Sequence, residues 1–136
     1  MPISHLLDTS VYCQPLKPRP LPTVERRWQA LGETALATSV ICEAELLYGL
    51  ELKKSMQLQA LYDQLLKNRM PALPVDAAVA KAFSIIKAHC RKKGVSASDF
   101  DFLIAATAKA HGLILATLNI RHFQNIEGLA SEDWSS

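Results

Sequence analysis

Four polar side chains lie in stretches that are otherwise apolar, spread over almost the whole chain: Asp8, Glu45, Asp101 and Asn119. An isolated carboxylate at the edge of a hydrophobic core is costly unless a positive charge faces it. Three such acids in one small protein therefore suggest that they share a cation. The pattern predicts metal chemistry.

Two of these acids and the amide also have a simpler structural interpretation. Asp8 ends an apolar run and could cap a turn. The sequence Ser-Asp-Phe-Asp from residue 98 is typical of a helix N-terminus, where acids suit the helix dipole. We interpret Asp99 as such a capping acid and leave both readings open for Asp101, whose helix is almost wholly apolar and should be deeply buried. Asn119 could be a turn residue, since Asn tolerates left-handed conformations.

Glu45 lies beside the apolar stripe of a predicted helix that begins near residue 41. The stripe recurs at three- and four-residue intervals and should face the core: Ile41, Ala44, Leu47 and Tyr48. The residue four positions after Glu45 is Gly49, so no lysine or arginine of this helix offsets its charge. Glu43 is the obvious decoy, and we expect it to be solvated. Leu46 and Leu50 point away from the stripe and predict a second buried side.

Composition fits one soluble domain of residues 1–136. The chain has 136 residues, of which 49 % are hydrophobic and 21 % charged, and its formal net charge of +2 is too small to indicate nucleic-acid binding by itself. The three cysteines are far apart and odd in number, which predicts reduced thiols in a cytoplasmic protein, with Cys42 and Cys90 in the core. The first residues do not resemble a secretory signal, and no apolar run is long enough to span a membrane.

Short apolar strands alternate with helices along the chain. We predict strands at 5–11, 35–40, 71–75 and 113–117, with 71–75 at a sheet edge. We predict helices at 24–31 with Thr23 as N-cap, from 41, at 56–67, at 77–93, and from Ser96 or Ser98 to 111; the tail 130–136 should be frayed. This order predicts an α/β fold, a three-layer sandwich with a mainly parallel central sheet. Sites in such sheets lie beyond the carboxyl ends of the strands, where Asp8 and Asn119 fall.

Several basic residues could bind a polyanion near the acids. Lys17, Arg19, Arg26 and Arg27 lie in or after a proline-rich loop, Arg91, Lys92 and Lys93 end a helix, and Arg121 precedes His122. Any one of them could equally be ordinary surface charge. As phosphate contacts they would make affinity fall with salt.

The polar segments together resemble the PIN-domain family, and in particular the VapC-type ribonuclease toxins of bacterial toxin–antitoxin pairs. The similarity follows the order Leu-Asp-Thr-Ser-Val, Glu-Leu-Leu-Tyr-Gly, Asp-Phe-Leu-Ile-Ala-Ala and Thr-Leu-Asn, and it spans roughly residues 5–129. The resemblance implies a five-stranded parallel sheet between helices. It places Asp8, Glu45 and Asp101 at acidic metal-binding positions, Asn119 at a fourth position that is Asp in many members, and Ser10 and Thr117 at hydroxyl positions beside the acids.

The resemblance also implies an activity and partners. Oxygen-only ligands suit Mg²⁺ or Mn²⁺, and the family's substrate is RNA, cleaved to leave a 5′-phosphate and a 3′-hydroxyl. We expect Asp8 and Asp101 to bind the metal directly and Glu45 to act through water or at a second ion. A homodimer and an antitoxin protein are the implied partners, with apolar surface offered by Leu46, Leu50 and the segment around Leu58, Leu61 and Leu65.

Two other functions remain open from the sequence. An aspartate-based phosphotransfer domain also places an Asp after its first strand, although Ser10 stands where a phosphatase of that kind needs a second acid. A non-catalytic PIN-like module would keep the acids as capping or surface groups and act by binding a protein. Metal-dependent RNA cleavage would separate these alternatives from a nuclease.

Overall fold

The computed structural model describes residues 2–136. Its sheet has five parallel strands in the order β3-β2-β1-β4-β5, formed by β1 (His5–Leu7), β2 (Leu36–Ser39), β3 (Ala72–Leu73), β4 (Ile114–Thr117) and β5 (Ser131–Asp133). Leu6 at the centre pairs with Ala37 on one side and Leu115 on the other. The predicted α/β sandwich with a parallel central sheet is confirmed, and the short β3 lies at the edge as expected.

Seven helices of the described residues flank this sheet: α1 (Thr9–Tyr12), α2 (Pro22–Leu31), α3 (Val40–Lys53), α4 (Met56–Leu65), α5 (Ala77–Lys92), α6 (Asp99–Ala110) and α7 (Ile120–Phe123), with short 3₁₀ turns at Gln14–Leu16 and Glu33–Ala35. All three residues of β1 are buried. Helix α6 buries Phe102 and the run from Ile104 to Ala108, as its apolar sequence predicted. Cys42 and Cys90 lie in the core, as expected.

The first strand is shorter than predicted. β1 ends at Leu7, and Asp8 is the N-cap of α1, which begins at Thr9 inside the predicted strand 5–11. The apolar run continues through Val11 and could not mark this change by itself. Helix α2 likewise begins two residues early, at Pro22 after the N-cap residue Leu21, so the prediction of Thr23 as N-cap is wrong. Proline suits this first helical position because its missing N–H has no partner there in any helix.

The predicted stripe of α3 faces the wrong way. Cys42 and Leu46 are buried, whereas Leu47 is 43 % exposed and Tyr48 67 % exposed. The helix is apolar on two sides, so three- and four-residue spacing identifies both sides without deciding which one meets the sheet. Leu46 is therefore a core residue in this structure and offers no surface to a partner.

Glu43 is not solvated. Its carboxylate accepts hydrogen bonds from the hydroxyls of Tyr12, at 2.5 Å, and Tyr62. Burial and the neighbouring Glu43 carboxylate raise the pKa of both tyrosines, which keeps them protonated as donors. This contact joins α1, α3 and α4, so it fixes the helix that carries Glu45 against the helix that follows Asp8.

The tail is ordered rather than frayed. Residues Ser131–Asp133 form β5 against β4, and Trp134 is 0 % exposed. Glu132 accepts from Trp134 Nε1 at 3.1 Å and lies 3.0 Å from His5 Nε2. The buried indole anchors the last strand. The sequence did not indicate this strand because the neighbours of Trp134 are charged or polar. No helix among residues 2–136 has the length and apolar character needed to cross a lipid bilayer.

Candidate functional site

Asp8 is the best-buried acid of the predicted site. It lies where β1 passes into α1, with 4 % of its surface exposed. Its Oδ1 accepts from the backbone N–H of Val11 at 3.0 Å, which caps the helix. The capping interpretation and the site interpretation are therefore compatible, because one oxygen carries the cap and the second points elsewhere.

Two hydroxyls hold the Asp8 carboxylate in place. Ser10 Oγ donates to Oδ1 at 2.6 Å, and Thr117 Oγ1 donates to Oδ2 at 2.5 Å. Each hydroxyl also accepts a backbone N–H, from Leu118 to Ser10 at 3.0 Å and from Asn119 to Thr117 at 2.8 Å. These N–H donors leave each hydroxyl proton directed at the carboxylate, so α1 and the end of β4 orient Asp8 together.

Burial raises the pKa of the Asp8 carboxyl above its usual value of 3.8, against the lowering effect of its hydrogen bonds, and the charge of Asp101 raises it further. That coupling indicates that Asp101 lies near enough for the two negative charges to repel. Among residues 2–136, no lysine, arginine or histidine forms an ion pair with Asp8. A positive charge at this position would relieve the cost of burial.

Glu45 approaches the same region from α3. Its Oε1 accepts from Thr9 Oγ1 at 2.5 Å, and the side chain is half-buried. Thr9 and Ser10 are consecutive residues of α1. Thr9 contacts Glu45, and Ser10 contacts Asp8. Thr9 was not among the predicted site residues. Its place inside the Leu-Asp-Thr-Ser segment was the available signal.

Asp101 lies in the first turn of α6. Its backbone N–H donates to Ser98 Oγ at 3.1 Å, which caps the helix, while its carboxylate lies 3.3 Å from His122 Nδ1. The Asp101 carboxylate takes no part in the cap and remains directed towards α7. The neighbouring Asp99 pairs with Lys87 at 2.7 Å, in agreement with a structural role.

Asn119 is exposed at the start of α7. Its backbone bonds to Thr117, but its side-chain amide makes no capping hydrogen bond to the helix that follows. Its φ is −117°, so Asn119 does not adopt the left-handed conformation that the simpler interpretation considered.

The predicted basic residues are placed differently from one another. Lys17 and Arg19 are exposed in the proline-rich loop, and Arg121 is exposed on α7 next to His122. Arg27 instead donates to the backbone carbonyl of Ser136 at 2.9 and 3.2 Å, and lies 4.0 Å from Glu132. Arg27 thus helps to hold the tail, a role that its sequence neighbours gave no reason to expect.

Comparison with known proteins identifies the family. A family model described as "PIN domain" matches residues 5–129. The chain belongs to the PIN-domain family. Its VapC-type relatives include the tRNA(fMet)-specific endonuclease VapC of Shigella flexneri, 31 % identical over 133 residues that cover 98 % of this chain and 99 % of that protein. The ribonuclease VapC2 of Haemophilus influenzae is 32 % identical over 132 residues, covering 97 % and 98 % of the two chains. Within the family, this chain is of the VapC ribonuclease-toxin type.

Solved structures agree with this assignment. The crystal structure of FitAcB from Neisseria gonorrhoeae contains a chain that superposes with a TM-score of 0.86 and 29 % identity, covering 96 % of this chain and 97 % of that one. A chain of DNA-bound VapBC from Salmonella typhimurium gives a TM-score of 0.85 at 29 % identity, covering 97 % and 98 %. The order of strands and helices in this VapC-type chain is therefore that of its relatives.

The acids of this VapC-type chain fit a hard divalent cation by their chemistry but do not form a ready-made cluster. Asp8, Glu45 and Asp101 offer only oxygen donors, which suit Mg²⁺ or Mn²⁺. Across residues 2–136, no group of three or more His, Cys, Asp or Glu side chains is close enough to hold a metal ion. Each acid instead keeps its own neighbour, as hydroxyls hold Asp8 and Glu45 while His122 faces Asp101. The convergence of these acids on one ion, expected from the sequence, therefore stays a prediction.

Proposed function

We propose that this chain is a metal-dependent endoribonuclease and the toxin of a VapBC-type toxin–antitoxin pair. The observation that carries the proposal is the environment of Asp8, a buried carboxylate with a raised pKa that pairs with no cation among residues 2–136. Its relatives bear the names endonuclease and ribonuclease. A buried acid in a capping role alone would not need two further hydroxyl donors from separate segments.

The residues divide the work of holding a divalent ion. Asp8 and Asp101 would bind Mg²⁺ or Mn²⁺ directly, and Glu45 would act through water or at a second ion. When bound, such an ion supplies positive charge to phosphate oxygens and lowers the pKa of water, which favours hydrolysis of a phosphodiester. Thr117 and Ser10 keep the Asp8 oxygens aimed, and Thr9 does the same for Glu45.

The remaining polar groups would bind and orient RNA. Asn119 is exposed with its amide free of the helix cap, so it can contact the ribose-phosphate chain or water beside the acids. Lys17, Arg19 and Arg121 are exposed cations suited to phosphate contacts. The expected products carry a 5′-phosphate and a 3′-hydroxyl.

Two competing functions fit the structure less well. A phosphatase of the aspartate-based kind needs a second acid two residues after the first, whereas Ser10 occupies that place and donates to Asp8. A non-catalytic protein-binding module gives no reason for the arrangement around Asp8, although it predicts the same fold.

The direct test is RNA cleavage with Mg²⁺ or Mn²⁺ by the wild-type chain and two acid variants of the same helix. Asp101→Asn should lose more activity than the roughly 10–100-fold that removing a ligand's hydrogen-bond partner costs. Asp99→Asn is the matched control, because Asp99 is paired with Lys87, and it should cleave like wild type. Chelation by EDTA and Asp8→Ala should both abolish cleavage. Undiminished activity of Asp101→Asn would refute its assigned role, and cleavage in EDTA would refute metal dependence.

Partners follow the same family pattern. We propose a homodimer and an antitoxin contact, with the apolar surface on the exposed side of α3 and the start of α4 formed by Leu47, Tyr48, Leu52 and Met56. Tyr48 is 67 % exposed, Leu52 69 % and Met56 89 %, and large exposed apolar surface marks protein–protein contact sites. Light scattering tests the dimer: Tyr48→Glu should reduce the mass to that of a monomer, and an unchanged mass would exclude this surface.

A further inference from the structure

A cavity of about 220 Å³ is lined by Glu45 and by Thr9, the residue that follows Asp8. The segment from α1 to the loop after the first 3₁₀ turn forms one wall, and a face of α3 forms the other. Thr9 and Glu45, which bond to each other, both line it. The cavity therefore adjoins one of the proposed catalytic acids, Glu45, and is not assigned by the family pattern or by the activity.

The lining combines apolar walls with two cations. The half-buried Leu50 and Leu58 supply apolar surface, while Lys17 and Lys53 are exposed and mark the open side. One wall is thus suited to a flat apolar group and the opening to negative charge. An RNA strand that passes Glu45 carries both kinds of group on each nucleotide.

Gly49 lines the cavity from the interior of α3. A glycine inside a helix lowers helix stability relative to alanine, so it needs a reason. Its φ is not positive, and a Cβ built at this position meets no heavy atom within 4 Å. Neither backbone conformation nor packing requires glycine here. What its missing side chain does is leave the cavity open.

We propose that this cavity receives one nucleotide of the RNA substrate, with its base against the leucines and its flanking phosphates on Lys17 and Lys53. The inference rests on the proposed ribonuclease function and adds a binding subsite to it. Unstacked bases of RNA loops are splayed out and recognised singly by proteins. Two lysines at the opening favour a phosphate-bearing strand over an apolar peptide of a partner protein.

The test measures stability and RNA binding in the same variants. Gly49→Ala and Gly49→Leu should both raise the melting temperature, by about 3 °C for alanine, because the helix gains propensity. Both should weaken binding of a fluorescein-labelled RNA stem-loop, measured in EDTA so that no cleavage occurs. We expect about tenfold weaker binding for Gly49→Leu, which corresponds to losing the contribution of one base. A higher melting temperature together with weaker RNA binding indicates an open subsite. At a position that only packs, a substitution would not weaken RNA binding in this way.

Variants of the two lysines provide the second part of this test. Lys17→Gln and Lys53→Gln should each reduce the slope of log affinity against log salt by about 0.7, the value for one phosphate contact on a single strand. Lys67→Gln, an exposed lysine that lines no part of this cavity, is the control and should match wild type. If wild type cleaves RNA but the Gly49 and lysine variants bind it unchanged, this subsite is wrong while the proposed function stands. If wild type neither binds nor cleaves RNA, both fail.

Discussion

Thr117 donates a 2.5 Å hydrogen bond to Asp8 although the two residues are 109 positions apart in the sequence. The bond joins the ends of the adjacent strands β1 and β4, so the central register of the sheet directly sets the orientation of the carboxylate. The same hydroxyl accepts the Asn119 N–H, which leaves its proton no other partner. The pairing of β1 with β4 therefore also sets the geometry of the proposed site.

Replacing Thr117 tests this link. Thr117→Val keeps the shape but leaves a buried Asp8 oxygen without its donor, which should lower the free energy of unfolding by about 1–3 kcal/mol. Urea unfolding measures the change. Thr117→Ser restores the hydroxyl and should recover most of the loss. Equal stability of the valine variant and wild type would show that this hydrogen bond is unimportant.

Thr9 is expected to act through Glu45. Thr9→Val removes the donor to Glu45 and should lower Mn²⁺ affinity, RNA cleavage or both by about tenfold, as for other partners of metal ligands. Calorimetric titration with Mn²⁺ gives a readout independent of cleavage. Thr9→Ser should behave like wild type. If the valine variant binds Mn²⁺ and cleaves RNA normally, Glu45 does not depend on Thr9.

The pH dependence of stability should depend partly on Glu132. Burial would raise the pKa of its carboxyl, but hydrogen bonding from Trp134 and the proximity of His5 and Arg27 outweigh it and lower the pKa below the usual 4.5. A lowered pKa means that the folded state favours the ionised form. The stabilisation is therefore present above pH 4.5 and is lost as the pH falls through the lowered pKa.

Glu132→Gln isolates that contribution. The variant should melt below wild type at pH 7, and the difference should shrink as the pH falls below 4.5. Glutamine keeps an oxygen that can accept from Trp134, so the comparison isolates the charge. Thermal melts of both proteins across this pH range measure the difference in melting temperature. A difference that stays constant with pH would contradict the assignment.

Trp134 tests whether the tail is part of the fold. Trp134→Ala should lower the free energy of unfolding by about 3–5 kcal/mol, because a large fully buried side chain is removed. Ser135→Ala, at an exposed neighbouring position, is the control and should change little. A frayed tail would make both substitutions neutral, and denaturant unfolding would show it.

The sequence was most informative where one physical rule acts alone. The α/β class with a mainly parallel sheet follows from short apolar runs that alternate with helices. Ser98 is recognisable as a cap because a hydroxyl before a helix satisfies a free N–H. The burial of α6 follows from its lack of polar positions. These features depend on local sequence, so they could be predicted.

The features that the sequence did not predict depend on distant partners. α3 is apolar on two sides, and only the position of the sheet decides that Leu46 is buried and Tyr48 exposed. Glu43 looks like a surface acid until Tyr12 and Tyr62 from other helices reach it. Trp134 stands among polar residues, and its burial requires β5 to pair with β4. The site followed the same division: family motifs indicated Asp8 and Asp101, whereas the contact between Thr9 and Glu45 needed coordinates.

The most direct measurement of the central claim is the melting temperature of wild type and Asp8→Asn as Mn²⁺ is added. An ion that binds the folded state at 100 times its dissociation constant adds about 2.7 kcal/mol to stability. Wild type should therefore melt at progressively higher temperature with added Mn²⁺, and Asp8→Asn should not respond. An unchanged melting temperature of wild type, or an equal rise in Asp8→Asn, would contradict a cation site built on Asp8.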